Sequence, residues 1–121
     1  SLKRKAAGSI IGNWTSATVS TEWSYLDWPV SSADLEKLRG VRFVFTSGSH
    51  ALEIDGVELL ENGKVIARDW HAGLAGKPSR GNFYKLSLPK GIHANNGCSL
   101  RARVRSVGGK SSNGKLELIK E

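Results

Sequence analysis

The dipeptide Asn62-Gly63 stands between two runs of alternating apolar residues, and it constrains the chain more than any other feature. Asn-Gly suits the positive φ angles of a tight hairpin turn. Before it, Leu52 and Ile54 alternate with Glu53 and Asp55, and Val57 and Leu59 then carry the apolar face. The phase slips by one residue at Asp55-Gly56. Such a slip predicts a β-bulge, and glycine accepts the backbone angles that a bulge often needs. Lys64 to Trp70 is the return strand. His71 to Asn82 follows as a glycine-rich loop with almost no core-forming side chains. A rigid hairpin that delivers an aromatic ring, a histidine and a loop to one edge is where function is expected.

The rest of the chain repeats the period of two. Ser9–Trp14 and Ala17–Tyr25 read as extended, with Val19, Thr21 and Trp23 sharing a face. Leu26, Trp28 and Val30 continue the alternation until Pro29 limits the ladder. Residues 32–39 carry the only helical pattern: a serine cap, Asp34 and Glu36 in the first turn, Leu35 and Leu38 three apart, and Gly40 as the stop. Val41–Thr46, Asn82–Leu88, Ser99–Val107 and the segment around Leu116 and Leu118 read as strands, separated by turns at Pro89-Lys90-Gly91, Asn95-Asn96-Gly97 and Gly108–Gly114. About eight or nine short strands with one helical turn predict an all-β fold, an antiparallel β-sandwich or barrel. No strand-helix alternation is present, so no parallel nucleotide-binding sheet is expected. By length, residues 9–121 make a single domain, and residues 1–8 read as a linker or the cut edge of something larger.

Charge and cysteine content narrow the partners. Eighteen Lys and Arg against eleven Asp and Glu give +7, which favours acidic partners: nucleic acid, anionic lipid or anionic polysaccharide. The one cysteine, Cys98, excludes an internal disulfide and a cysteine-cluster zinc site, and reads as a small buried group. No apolar run is long enough to span a membrane as a helix.

Catalytic signatures are sparse. His50, His71 and His93 have no metal-helix spacing, and Gly73-Leu74-Ala75-Gly76-Lys77 is not followed by a helix as a phosphate loop would be. Asp69 and His71 point to the same side of a strand end, which is one part of a triad without a nucleophile motif. No pair of carboxylates is identifiable across a cleft. The chain therefore reads as non-catalytic. Arg101, Arg103 and Arg105 lie on the outward face of one strand, about 7 Å apart. They form either an anion-binding face or cross-strand ion pairs with Glu53, Asp55 or Glu117. Nucleic acid recognition would need exposed aromatics beside that ladder, and only Phe83 offers itself, so this partner ranks low. Three of the four tryptophans fall in the first quarter, either as core or as platforms that stack on a sugar ring.

Several stretches resemble the C-terminal accessory module of bacterial glycoside hydrolases, especially of the β-hexosaminidase type. These are Trp14, Thr21-Glu22-Trp23-Ser24-Tyr25-Leu26-Asp27-Trp28, Val41–His50, Val57–Asp69 continuing as x-His71-x-Gly73, Asn82-Phe83-Tyr84 and Ser112-Asn113-Gly114. The resemblance implies a galactose-binding-domain-like jelly roll that binds carbohydrate or packs against a neighbouring catalytic domain. It implies a secreted, periplasmic or cell-surface parent protein. Related modules often hold a structural calcium, for which this chain has no dense acidic loop; no other cofactor is expected. The expected ligand is carbohydrate, including acidic polysaccharide. It would stack on Trp70, Trp23 or Trp28, with hydroxyls bonded by Asp69, His71, Arg80 and Asn82. The competing expectation is a buttressing module without glycan affinity, presenting an apolar patch around Trp28 and Leu74.

Overall fold

The computed structural model describes residues 9–11, 17–31, 35–36, 38–76, 78–89, 98–109 and 112–120. The expected linker at 1–8, Trp14, His93, the turn at 95–97 and part of the turn at 89–91 lie outside them.

The described residues form an all-β sandwich of two five-stranded antiparallel sheets. The strands are β1 (Ser9–Ile11), β2 (Ala17–Thr18), β3 (Ser24–Pro29), β4 (Leu38–Ser47), β5 (Leu52–Glu61), β6 (Lys64–Asp69), β7 (Gly73–Ala75), β8 (Phe83–Lys85), β9 (Cys98–Ser106) and β10 (Asn113–Lys120). One sheet runs β1-β10-β4-β8, with β2 also on β10. The other runs β3-β9-β5-β6, with β7 also on β5.

The central hairpin has the expected anatomy. Asn62 and Gly63 take φ of 50° and 84°, so both turn residues are left-handed. The register of β5 against β9 shifts between Ile54 and Gly56, which is the bulge. Leu52, Ile54, Val57 and Leu59 are consequently all buried despite the change of phase. They meet Val41, Phe43, Leu116 and Leu118 from the opposite sheet in one continuous core. Edge-on contact between Trp28 and Phe43, with centroids 6.3 Å apart, ties β3 to β4 across the layers. Cys98 is buried, as a small core group would be.

The expected helical turn near 32–39 is shorter than its pattern. Residues 32–34 and 37 lie outside the description, and the Leu35 amide donates to the Ser31 carbonyl at 3.3 Å. Leu38 and Arg39, however, already belong to β4, with Leu38 opposite Lys120. Gly40 does not stop a helix. It sits inside β4, where a side-chain carbon would come within 2.5 Å of the Phe83 ring and 2.6 Å of the Tyr84 carbonyl. Sheet pairing and the burial of both Leu35 and Leu38 override the weak helical preference of so short a segment.

Candidate functional site

Strand β9 alternates strictly, burying Leu100, Ala102 and Val104 and turning Arg101, Arg103 and Arg105 outward. The neighbouring strand supplies one carboxylate for each. Arg101 Nε donates to Glu58 at 2.7 Å, Arg105 Nε donates to Glu53 at 2.6 Å, and Arg103 pairs with Asp55. Glu58 and Glu53 are the direct cross-strand partners of Arg101 and Arg105, while Asp55 reaches Arg103 from the bulge. The Glu58 hydrogen bond pushes Arg101 further toward its charged form. On the other side, Tyr25 of β3 and Trp23 just before it lay rings against the same guanidinium groups. Arg101 sits 4.4 Å from the Tyr25 ring centre, and Arg103 and Arg105 sit 4.9 and 4.8 Å from that of Trp23. The three cations are thus matched by carboxylates in the cross-strand manner. Glu117, the third expected partner, lies on β10 in the opposite sheet.

Trp70 follows β6 and lies on this outward face. A side-chain carbon on Gly56 would fall 2.6 to 3.0 Å from Trp70 Cδ2, Cγ and Cε2. Cδ2 is a ring-fusion carbon with no free edge, so the indole meets the Gly56 backbone through its face. Only glycine leaves that room. The indole Nε1–H donates to Glu58 Oε2 at 3.3 Å, and Arg101 holds Oε1. Glu58 is therefore buried, 6% exposed, with both oxygens satisfied. Trp70 itself remains 44% exposed. It is an aromatic plate with a fixed orientation, one face on the sheet and the other available.

The residues on either side of Trp70 serve a different purpose. His71 Nδ1 lies 2.9 Å from Asp69 Oδ1, and His71 Nε2 lies 2.8 Å from the Gly81 carbonyl. The second oxygen of Asp69 accepts the Lys85 amide at 2.8 Å. The imidazole stacks on Tyr84, with centroids 4.1 Å apart and planes 13° from parallel. Tyr84 Oη donates to the His71 carbonyl at 3.1 Å. Its phenol is pushed well above the ordinary tyrosine range, first by burial and then by Asp69 and Asp55. Asn82 donates to the Phe43 carbonyl at 2.8 Å, tying the loop end to β4. This constellation pins the loop to the sandwich. Nε2 of His71 faces a carbonyl rather than a hydroxyl or thiol, so the Asp–His pair lacks the geometry of a triad base.

Arg80 and Leu74 exchange backbone hydrogen bonds at 2.8 Å in both directions, which folds the loop back along β7. Arg80, Gly81, Ala72, Gly73, Leu74 and Glu53 line an open depression of about 440 Å³. Among the described residues no carboxylate pairs with Arg80. No group of three or more His, Cys, Asp or Glu among the described residues could hold a metal ion.

The expected ligand residues therefore divide. Trp70 and Trp23 share the outward face with Arg101, Arg103 and Arg105, and Arg80 borders its edge. Asp69, His71 and Asn82 are spent on contacts with backbone and, for Asp69 and His71, with each other. Trp28 is a correction: it is 5% exposed and packed on Phe43, because the alternation of β3 turns Leu26 and Trp28 inward and Tyr25 and Asp27 outward. Sequence reasoning missed Gly56, Glu58 and Tyr25. The phase slip already put Glu58 opposite Val57 and Leu59, but its contact with Trp70 depends on β6 lying beside β5. Neither a scan against models of known protein families nor a search of curated proteins finds a match for this chain.

Proposed function

We propose that this domain is a non-catalytic carbohydrate-binding module, an accessory unit of a larger polysaccharide-processing protein working outside the cytoplasm. The observation that carries the reading is Trp70: a ring seated face-down on Gly56, pinned through Nε1 to Glu58, and open on its other side. A sugar ring stacks on such a plate through its C–H face, and the plate loses little freedom on binding because it is already held. Glu53 and Arg80 line a depression at the edge of the same sheet, and the Arg103–Asp55 pair is partly exposed, so donors and acceptors for hydroxyl groups are available on the surface that carries Trp70. The site is open rather than enclosed, so it suits a stretch of polymer. Affinity is expected to be weak, since the sugar's polar groups lose water on binding.

The buttressing alternative called for an apolar patch around Trp28 and Leu74. With Trp28 in the core, that patch reduces to Leu74 beside the charged rim of Glu53 and Arg80. Affinity electrophoresis in gels of neutral and acidic polysaccharides tests the proposal. Retardation by at least one glycan is expected, lost in Trp70→Ala and also in Gly56→Ala, which lifts the ring without removing it. Retardation that survives both changes, with the fold intact by circular dichroism, removes Trp70 from the site. No retardation by any glycan rejects the reading.

A further inference from the structure

The chain carries a net +7, and the arginine ladder does not account for it. On the outward face of β9 each arginine has its own carboxylate in Glu58, Asp55 or Glu53, so that ladder is neutralised. The other sheet differs. There β4 pairs with β8 on one flank and β10 on the other, and directly opposed residues share a face. Gly40 stands opposite Lys85, Arg42 opposite both Phe83 and Glu117, and Val44 opposite Lys115. Val41 and Phe43 alternate with them and are buried in the core, so this set faces outward. Lys85, Arg42 and Lys115 consequently fall on one diagonal across three strands, in steps of about 7–8 Å.

Arg42 and Lys85 are exposed and Lys115 is half-buried. Among the described residues none of the three forms an ion pair. Glu117 stands opposite Arg42 without pairing with it, and Asp69 is occupied by the Lys85 amide and His71. Phe83 lies beside the middle of the diagonal and is 39% exposed. A side-chain carbon on Gly40 would fall 2.5 Å from Phe83 Cζ and 3.0 Å from Cε1, so the tip of the ring rests on bare glycine. This face joins a positioned ring to positive charge that no internal carboxylate has claimed.

We propose that the outer face of the β4–β8–β10 sheet is a second glycan site, one for acidic polysaccharide, separate from the Trp70 surface on the other sheet. Phe83 stacks on a sugar ring. The Arg42 guanidinium fork and the Lys85 ammonium group hold the carboxylate or sulfate groups of that sugar and its neighbour, and Lys115 extends the line. A diagonal of cations suits a polymer with acidic groups at regular intervals. Single-stranded nucleic acid has the same sign of charge but is held on successive rings, and here one ring serves three cations. The site rests on the carbohydrate reading for the class of its ligand; it makes no use of Trp70.

Affinity electrophoresis of the intact chain in polygalacturonate and in heparin gels, each against a gel without polymer, tests this. Retardation by at least one of the two is expected. Its apparent affinity should fall about tenfold in Arg42→Gln/Lys85→Gln and about threefold in Phe83→Ala, with circular dichroism unchanged. Lys64→Gln/Arg68→Gln removes the same charge from exposed positions of β6 and should leave the retardation as it is. An equal loss in both double variants overturns the proposal, because net charge alone would then explain the binding. Retardation by neither polymer also overturns it, as does tighter binding of oligothymidylate, which would make the face a nucleic-acid surface. Neutral glycans test the Trp70 plate and acidic glycans test this face. Neutral-glycan binding lost in Trp70→Ala, with no acidic-glycan binding, leaves the Trp70 reading standing and rejects the second site. Acidic-glycan binding that depends on Arg42 and Lys85, with no neutral-glycan binding, does the reverse.

Discussion

Trp70 and the two residues that flank it belong to different regions of the molecule. Trp70 lies on the outward face, over Gly56 and against Glu58. Asp69 and His71 turn the other way, toward Tyr84 and Gly81. Both regions use charged and aromatic groups in close contact, yet they do opposite things. On the outward face the ion pairs and ring contacts hold each other and leave a surface exposed. Around His71, the side-chain polar atoms of Asp69 and His71 are taken up by each other and by backbone. Residue type alone does not decide which groups meet a ligand; what is left after internal partners are satisfied does.

The largest expected effect falls on the side of His71 and Tyr84. Gly73→Ala places a carbon 2.5 Å from the Gly81 carbonyl and 2.6 Å from Tyr84 Oη. Backbone cannot move aside as a flexible side chain can, so a loss of about 2–3 kcal/mol in urea unfolding is expected. A loss below about 0.5 kcal/mol would mean that the loop yields freely and that the contacts of His71 and Tyr84 hold it little.

On the outward face, Glu58→Ala should cost somewhat less, about 2 kcal/mol, by leaving Arg101 without its carboxylate and Trp70 without its anchor. Glycan retardation should weaken with it, since the plate loses its fixed orientation. Full retention of binding would show that the anchor is incidental to the surface.

Alkaline titration sharpens the contrast through the tyrosines. The Tyr84 phenol is held above its ordinary value by burial, then by Asp69 and Asp55. The unfolded chain ionises this group near pH 10 and the folded chain resists, so its contribution is complete below about pH 10 and is lost as the pH rises beyond it. Ultraviolet titration should show a tyrosine component that ionises well above the ordinary range, and Tyr84→Phe should remove it. The absence of such a component would contradict the burial of Tyr84 beside Asp69.

Arg105→Ala gives the smallest effect. Its pair with Glu53 is well exposed on both sides, and such pairs contribute about 0.5 kcal/mol or less. The difference between Glu58→Ala and Arg105→Ala therefore measures how much burial, rather than charge, separates the two ends of one ladder.

Much of this arrangement is legible in the order of residues. Asn62-Gly63, the slip at Asp55-Gly56, and the alternation of Leu100, Ala102 and Val104 specify the hairpin, the bulge and the inward face of β9, because pleated strands send neighbours to opposite sides. The same rule puts Asp69 and His71 together and apart from Trp70. It also offered ion pairing as one fate of the arginines, since Glu53 and Asp55 show the complementary outward phase.

Other features have no local signal. The identity of the strand beside β5 decides that Trp70, twelve residues from Glu58, covers it, and that Gly56 must be bare beneath the ring. Local pattern favoured a helical turn through Arg39, but pairing with β10 drew Leu38 and Arg39 into β4. Trp28 shares composition and spacing with a surface platform, and only the opposing sheet, with Phe43 in place, makes it core. The sequence by itself determined which residues share a face, because that depends on backbone period alone. The tertiary structure decided which faces are covered and which polar atoms are already taken, because those contacts join segments far apart in the chain.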